Sequence, residues 1–390
     1  MFFLFHSLFA CQPHHSSVSK PVQPEIRYRP AELPESYSAE IKLYFPKAQW
    51  DSGLEQACQE LSSVLSTPKV QLTPRAIQQA TDRAGFPGQA QFSKLLTAGE
   101  FPTKAIKDLA RRHALDNIDI GLATRQYGNG ATLWIIGISE HLVDMDPIPR
   151  DLSLDGQLAL RIDLKPEQQG YLYIDAPDQP IEMIEILPSA HRWLHNFHIP
   201  GRYRLEVVTE EKKESDVALL FSVFVDQEIP APRPLLEKNE ISNPVVAETW
   251  LYQEVNRIRA EHGLYPLKRF SMFEGVAREH SALMASTGIV EHQIKGVTEG
   301  VPSRAEKVGH PRAKHYENVA AAQTAKDALD MVLDSPGHFK VLLCETCTHI
   351  SIGAALEPSL NRNPRLFVTW EVLEFPHGQP KRIEKLNRDL

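Results

Sequence analysis

Glu317-Asn318-Val319-Ala320 and Ser335-Pro336-Gly337-His338 are the two decisive stretches of this chain. They belong to a series of short motifs in fixed order. The series starts with Gly263-Leu264-Tyr265-Pro266-Leu267, Ala277-Arg278-Glu279-His280-Ser281 with Met284, His292, and Ser303-Arg304-Ala305. After the two decisive stretches it closes with Thr348-His349-Ile350-Ser351-Ile352-Gly353. Two histidines and a glutamate, His292, Glu317 and His338, fall at loop-like places among helical segments. Polar groups so placed serve a site more often than a core.

Asn243-Pro244 opens a helix on which Leu251, Val255 and Ile258 share one face, and Gly263 ends it. Ahead of it, Ile229-Pro-Ala-Pro-Arg-Pro234 reads as a stiff extended linker. Between Leu152 and Gln227 the apolar residues alternate as in half-buried strands. Leu158–Leu164, Gly170–Asp175 and Arg202–Val208 show it, while Val217–Val225 is a more continuous run suited to a central strand. Six or so short strands predict a small β-sandwich. Nothing in this block reads as chemical, and His191, His195 and His198 are expected to be solvated.

The first block, Ile41 to Pro149, mixes helix and strand signals. Leu54, Ala57, Leu61 and Val64 lie on one face of a helix over Asp51–Leu65, capped by Asp51 or Ser52. Thr73-Pro74 opens another. Ile118–Ala123 and Ala131–Ile138 are apolar strands joined by Tyr127-Gly128-Asn129-Gly130, which supplies the positive-φ residues a hairpin needs. This hairpin has an echo in Ile350-Ser-Ile-Gly-Ala-Ala followed by Leu366-Phe-Val-Thr. The helix from Leu54 similarly matches Phe273-Glu-Gly-Val-Ala-Arg-Glu-His-Ser-Ala. The first block therefore reads as a degenerate copy of the last, without Glu-Asn or Ser-Pro-Gly-His. Unrelated folds sharing a hairpin pattern are the alternative. His113 is expected at the surface.

The 390 residues are 42% apolar and 24% charged, with a net charge of −8. That balance argues against nucleic acid, or an anionic membrane gripped by a basic face. Four cysteines exclude a disulfide-dense scaffold. Cys344-Glu-Thr-Cys347 lacks two further ligands for a structural zinc site, which leaves a local disulfide or two free thiols. Met1 to Cys11 is apolar and ends in Leu8-Phe9-Ala10-Cys11, and the polar run Gln12–Lys20 follows. This pattern is similar to a lipobox and tether, with Cys11 as the lipidated residue. It has no basic leading segment, so a frayed hydrophobic tail is the other reading.

The ordered motifs between Gly263 and Val372 resemble the bacterial branch of the CAP superfamily (cysteine-rich secretory, antigen 5 and pathogenesis-related proteins), also termed SCP-like. The resemblance spans Val245 to Pro376 and implies an α-β-α sandwich with helices on both faces of a small, mainly antiparallel sheet. The whole chain then reads as α+β: a leader and tether over 1–23, a degenerate CAP-like domain over 41–149 and an immunoglobulin-like β-sandwich over 150–228. A Pro-rich linker over 229–243, the CAP-like domain over 244–376 and a tail over 377–390 complete it.

Carried over residue by residue, the family's cavity is lined here by His292, Glu317 and His338. Such a set could hold a divalent ion such as zinc, with water in the open position. Alternatively a histidine polarised by the carboxylate could serve as general base. Asn318 is expected to pin its loop through the backbone. His280 and Ser281 are expected to pack their helix, with Asn318, His280 and Arg304 supporting the cavity; His310, His315 and His349 have no matching role. The chain departs from the family at Val332-Leu333-Asp334, where many bacterial members have Trp, and at Phe339 and Val341, where Arg and Asn are usual. The second cavity glutamate of eukaryotic members has no evident counterpart.

Three functions compete. One is an exported, lipid-anchored or secreted cell-envelope domain that binds an ion, a lipid or a wall glycan without turnover. Another is a hydrolase of peptide or glycan with His292 or His338 as base and Glu317 as orienting carboxylate. The third is adhesion through the β-sandwich. No serine or cysteine sits in a nucleophile-elbow pattern.

Overall fold

The computed structural model describes residues 23–65, 72–112, 117–128, 130–165, 168–187, 191–211, 214–229, 243–294, 300–307, 313–358 and 364–376. Cys11, His113, His310, most of the Pro-rich linker and the tail from 377 lie outside the described residues.

The N-terminal domain runs through β2 (Pro30–Ala31), α1 (Glu35–Tyr44), β3 (Gln49–Asp51), α2 (Ser52–Val64), α3 (Pro74–Ala84), β4 (Ala90–Thr97), α4 (Thr103–Arg112), β5 (Ile118–Gln126) and β6 (Thr132–Glu140). Its sheet has the order β2-β3-β5-β6-β4. Asp51 caps α2 by accepting from Leu54 N at 2.9 Å, and Thr73 caps α3, whose first residue is proline. Residues 35–44 are a helix of this domain, which therefore starts ahead of the expected Ile41.

The sandwich pairs two layers. One holds β7 (Asp144–Met145), β10 (Gln157–Asp163) and β13 (His191–Asn196) in the order β13-β10-β7. The other holds β9 (Asp151–Leu152), β11 (Gln169–Asp175), β12 (Glu182–Ile186), β14 (Gly201–Glu211) and β15 (Glu214–Val225) in the order β12-β11-β14-β15-β9. Both layers are antiparallel except that β9 runs parallel to β15. A short pair, β1 (Glu25–Ile26) with β8 (Ile148–Pro149), closes one end. The seam expected at Pro149 lies earlier, because Val143 and Ile148 are buried in the sandwich core beside Leu160 and Phe221. His195 departs from its expected solvation: it stacks on Trp193, with ring centroids 4.8 Å apart, and meets Phe197 edge-on. His198 is exposed and pairs with Asp155.

The C-terminal domain comprises α5 (Pro244–Glu261), β16 (Lys268–Arg269), α6 (Ser271–Thr287), α7 (Val301–Lys307), β17 (Lys314–Ala322), α8 (Ala325–Asp334), α9 (Pro336–Leu342), β18 (His349–Leu356) and β19 (Leu366–Glu374). Asn243 caps α5 by accepting from Val245 N and Val246 N. The sheet order is β16-β18-β19-β17, with β16 parallel to β18 and the other pairs antiparallel. The N-terminal sheet repeats this connectivity, with β3 parallel to β5, and β5 and β4 both antiparallel to β6.

Helices cover both faces of the C-terminal sheet. Leu251, Val255, Leu329, Val332 and Trp370 pack on one side; Met284, Ile294 and Phe367 pack on the other. Strand β19, central in this sheet, is buried from Leu366 to Leu373. That explains its near-continuous apolar sequence, since both of its faces are covered. Cys344 and Cys347 form a disulfide after α9, while Cys58 is free and buried. Among the described residues, no helix is long and apolar enough to cross a membrane.

Candidate functional site

Strand β17 carries the two polar residues of Glu317-Asn318, and successive side chains on a strand point to opposite faces. Glu317 turns toward α6, where His280 Nε2 lies 3.9 Å from its Oε1. Asn318 turns toward α9 and donates from Nδ2 to the His338 carbonyl at 2.9 Å. The site is thus built on both sides of a strand at the end of the sheet.

On the α6 side, His292 Nδ1 lies 2.9 Å from Glu317 Oε1. Arg304, on α7, donates to Glu317 Oε2 and to the His292 carbonyl at 2.9 Å. The Glu317 side chain is only 1% exposed, against 40% for His292. The imidazole therefore stands between a buried carboxylate and solvent. Burial alone would raise the Glu317 carboxyl, but the His292 hydrogen bond and the Arg304 guanidinium outweigh it and hold the group below the usual carboxylate range.

A second carboxylate, Glu371, lies directly across the strand pair from Glu317 and is fully buried. Its Oε1 is 3.6 Å from Arg304 Nη2. Burial, then the Glu317 charge, pushes the Glu371 carboxyl well above its ordinary range. One guanidinium thus serves two buried carboxyls, of which Glu317 is the ionised one.

His280 is fully buried, with Nε2 3.0 Å from the Glu291 carbonyl. Its Nδ1 has no partner among the described residues. Burial lowers its pKa, against the pull of Glu317. Ser281 donates to the Gly353 carbonyl at 2.9 Å and touches Thr369 Oγ1, which ties α6 to the sheet. His315 packs on Phe273, and His349 sits between Phe270 and Phe375 with Nδ1 2.8 Å from Thr348 Oγ1.

His338 has partners of its own. Its ring meets Ser335 Oγ at 2.5 Å through Nδ1, and it makes no ion pair with Glu317. Burial and the nearby His292 push its pKa down to about 4. Its surroundings include the β-sandwich. Glu206 of β14 is fully buried, accepts from Ser335 Oγ at 2.6 Å and from Gly337 N, and lies 4.0 Å from His338 Nδ1. Burial raises the Glu206 carboxyl; the two donors and Arg204 act against that rise. The same junction holds Arg204 against Asp334 and over the Phe339 ring, and Lys340 over Tyr173. Arg202 bridges Asp334 to Asp82 of α3, so all three domains meet here.

The structure therefore joins His292 directly to Glu317 and Arg304, while the His338 ring is held by Ser335 beside Glu206 and lies near enough to His292 to feel its charge. A zinc site does not fit this arrangement. Both Glu317 oxygens are engaged by Arg304 and His292, and among the described residues no three His, Cys, Asp or Glu side chains are grouped to hold a metal. Two polar residues escape the sequence reading. Glu371 is a second buried glutamate beside Glu317, and its signal was a lone acid inside the apolar run Phe367–Leu373. Glu206 gave no signal: it alternates in phase with Arg202 and Arg204, as a solvent-facing residue would.

Residues 252–371 match the model of the cysteine-rich secretory protein family, CAP. No curated protein matches the chain. Among solved structures, it is similar to an outer surface protein from Borrelia burgdorferi, with 20% identity over 35% of this chain and 95% of that one, at a TM-score of 0.28. An extracellular SCP-domain protein from Bacillus anthracis shares 14% identity over 60% of this chain and 86% of its own, at a TM-score of 0.29. A cysteine-rich secretory protein from Staphylococcus aureus shares 11% identity over 55% and 85%, at a TM-score of 0.26.

Proposed function

We propose that the chain is an exported cell-envelope protein whose CAP domain binds a hydroxyl-rich ligand, a wall glycan, without turning it over. The observation that carries this reading is the double engagement of Glu317. A carboxylate that accepts from Arg304 on one oxygen and faces His292 on the other is an orienting group. With Nδ1 directed at Glu317, His292 presents Nε2 toward solvent as a hydrogen-bonding contact. Ser281 is bonded inside the α6–sheet interface and Ser335 donates to Glu206, so neither of these is free to act as a nucleophile. Export is supported by the Cys344–Cys347 disulfide, a bond that persists in oxidising compartments. The lipobox-like Cys11 would supply the anchor, and membrane contact would run through that anchor alone.

Titrating the full chain with soluble peptidoglycan disaccharide-peptides tests the reading. Binding is expected for the wild type, and His292→Ala should weaken it about tenfold, the ~1.4 kcal/mol of one hydrogen bond. Zinc chloride alone should give no saturable heat. The hydrolase reading rests on the same His292–Glu317 pair, since a carboxylate-oriented imidazole is also a general base. New reducing ends or free amines, lost in Glu317→Gln, would replace binding by hydrolysis.

A further inference from the structure

The contacts of Glu206 determine more than the docking of two domains. A serine hydroxyl has one proton to give and two lone pairs to receive with. Ser335 Oγ has three neighbours: Glu206 Oε1 at 2.6 Å, His338 Nδ1 at 2.5 Å and the His338 backbone N–H at 3.4 Å. Ser335 Oγ donates to Glu206 Oε1, so with Glu206 as the carboxylate, which only accepts, the hydroxyl proton is committed to it. The backbone N–H only donates, so it takes one lone pair. The remaining lone pair faces Nδ1, and the contact is a hydrogen bond only if Nδ1 carries the imidazole proton. Burial raises the Glu206 carboxyl, and the Gly337 N–H donating to its other oxygen acts against that rise, in favour of the carboxylate. Asn318 holds the His338 carbonyl, so the residue is fixed at its backbone and at its ring.

We propose that Glu206, a residue of the β-sandwich, is a positioning residue of the CAP site: through the Ser335 hydroxyl it holds His338 as the Nδ1–H tautomer, leaving Nε2 as an acceptor. The partner of that acceptor is a ligand donor, a hydroxyl or an N–H. The β-sandwich is then a working part of the site rather than a spacer. The tautomer is a property of the fold; its use in recognition rests on the binding function proposed above. The same logic is familiar at metal centres, where the group on one ring nitrogen decides what the other can do.

Long-range ¹H–¹⁵N correlation spectra of the histidine-labelled full chain read the tautomer, with His338→Gln giving the assignment. Wild type is expected to show His338 protonated on Nδ1. In Glu206→Leu the hydroxyl loses its acceptor and turns to donate to the ring, so the Nδ1–H form should cease to be the major tautomer. Ser335→Ala should remove the preference by deleting the relay itself, and it carries the test if Glu206→Leu fails to fold. Arg202→Met loosens the junction without touching the relay and should leave the tautomer unchanged.

An Nε2–H tautomer in the wild type would overturn the proposal, because the hydroxyl would then donate to the ring and not to Glu206. So would Nδ1–H signals that persist in both relay variants. Adding peptidoglycan disaccharide-peptides separates the two claims. A tautomer that responds as stated in a chain that binds no glycan would leave Glu206 in its role and remove the ligand.

Discussion

Replacing Arg304 with leucine is expected to cost the C-terminal domain about 3–5 kcal/mol at neutral pH, the penalty for stripping the partner from a buried charge. Arg304 is the cation shared by Glu317 and Glu371, whose side chains are 1% and 0% exposed. In the wild type the two carboxyls respond to pH in opposite senses. Glu317 has a depressed folded pKa, so its contribution is present above the unfolded value near ~4.3 and lost as pH falls through the folded one. Glu371 has a raised folded pKa, so its contribution is present in acid and lost as pH rises past ~4.3. Without Arg304 the burial of Glu317 is opposed chiefly by the His292 hydrogen bond, so its carboxyl rises, and Glu371 loses the cation that lowers it. The deficit of the variant should therefore shrink toward pH 4–5, where both carboxyls can protonate. Amide hydrogen exchange of β17 and β19 in the full chain, compared at acid and neutral pH, reads this difference. A deficit that does not change with pH would mean that lost packing, and not unpaired charge, accounts for the effect.

The legibility of these features followed how local their causes were. The caps at Asn243, Thr73 and Asp51 were readable because a cap is decided by adjacent residues. The resemblance named Glu317 and His292, which the fold brings into contact, together with Arg304, which bonds to both. It also named His338, whose carbonyl is held by Asn318 and whose ring bonds to Ser335 rather than to Glu317. Nothing local could show that Glu206 is buried, because only the docking of α9 on β14 removes it from water. Glu371 was legible in principle as an acid in a strand too apolar to have a wet face.

Gly353→Ala is expected to be as damaging as any change at the site, at more than about 3 kcal/mol, beyond the ordinary range for overpacking. A methyl group there would lie 2.1 Å from the Ala277 carbonyl carbon and from the Arg278 nitrogen, both backbone atoms of α6. No rotamer change can clear a backbone clash, so the helix must lift from the sheet. Lifting α6 also breaks the Ser281 bond to Gly353 and withdraws His280 from beside Glu317. Gly121 is placed alike in the N-terminal domain, where a methyl group would meet the Leu54 carbonyl carbon at 2.5 Å and the Glu55 nitrogen at 2.4 Å.

These two contacts set Leu54 of α2 opposite Ala277 of α6, one helical turn further along than the sequence pairing of Leu54 with Phe273. A slip of one turn keeps the same face toward the sheet, which is why the apolar pattern could not reveal it. Glycine therefore marks the register where hydrophobicity does not. Gly353→Ala should raise hydrogen exchange in α6 and β18 and spare β5, and Gly121→Ala should do the reverse. If either alanine is accommodated within about 0.5 kcal/mol, the level of an ordinary surface change, that helix does not seat on its glycine. The close approach would then not be what fixes helix to sheet in that domain.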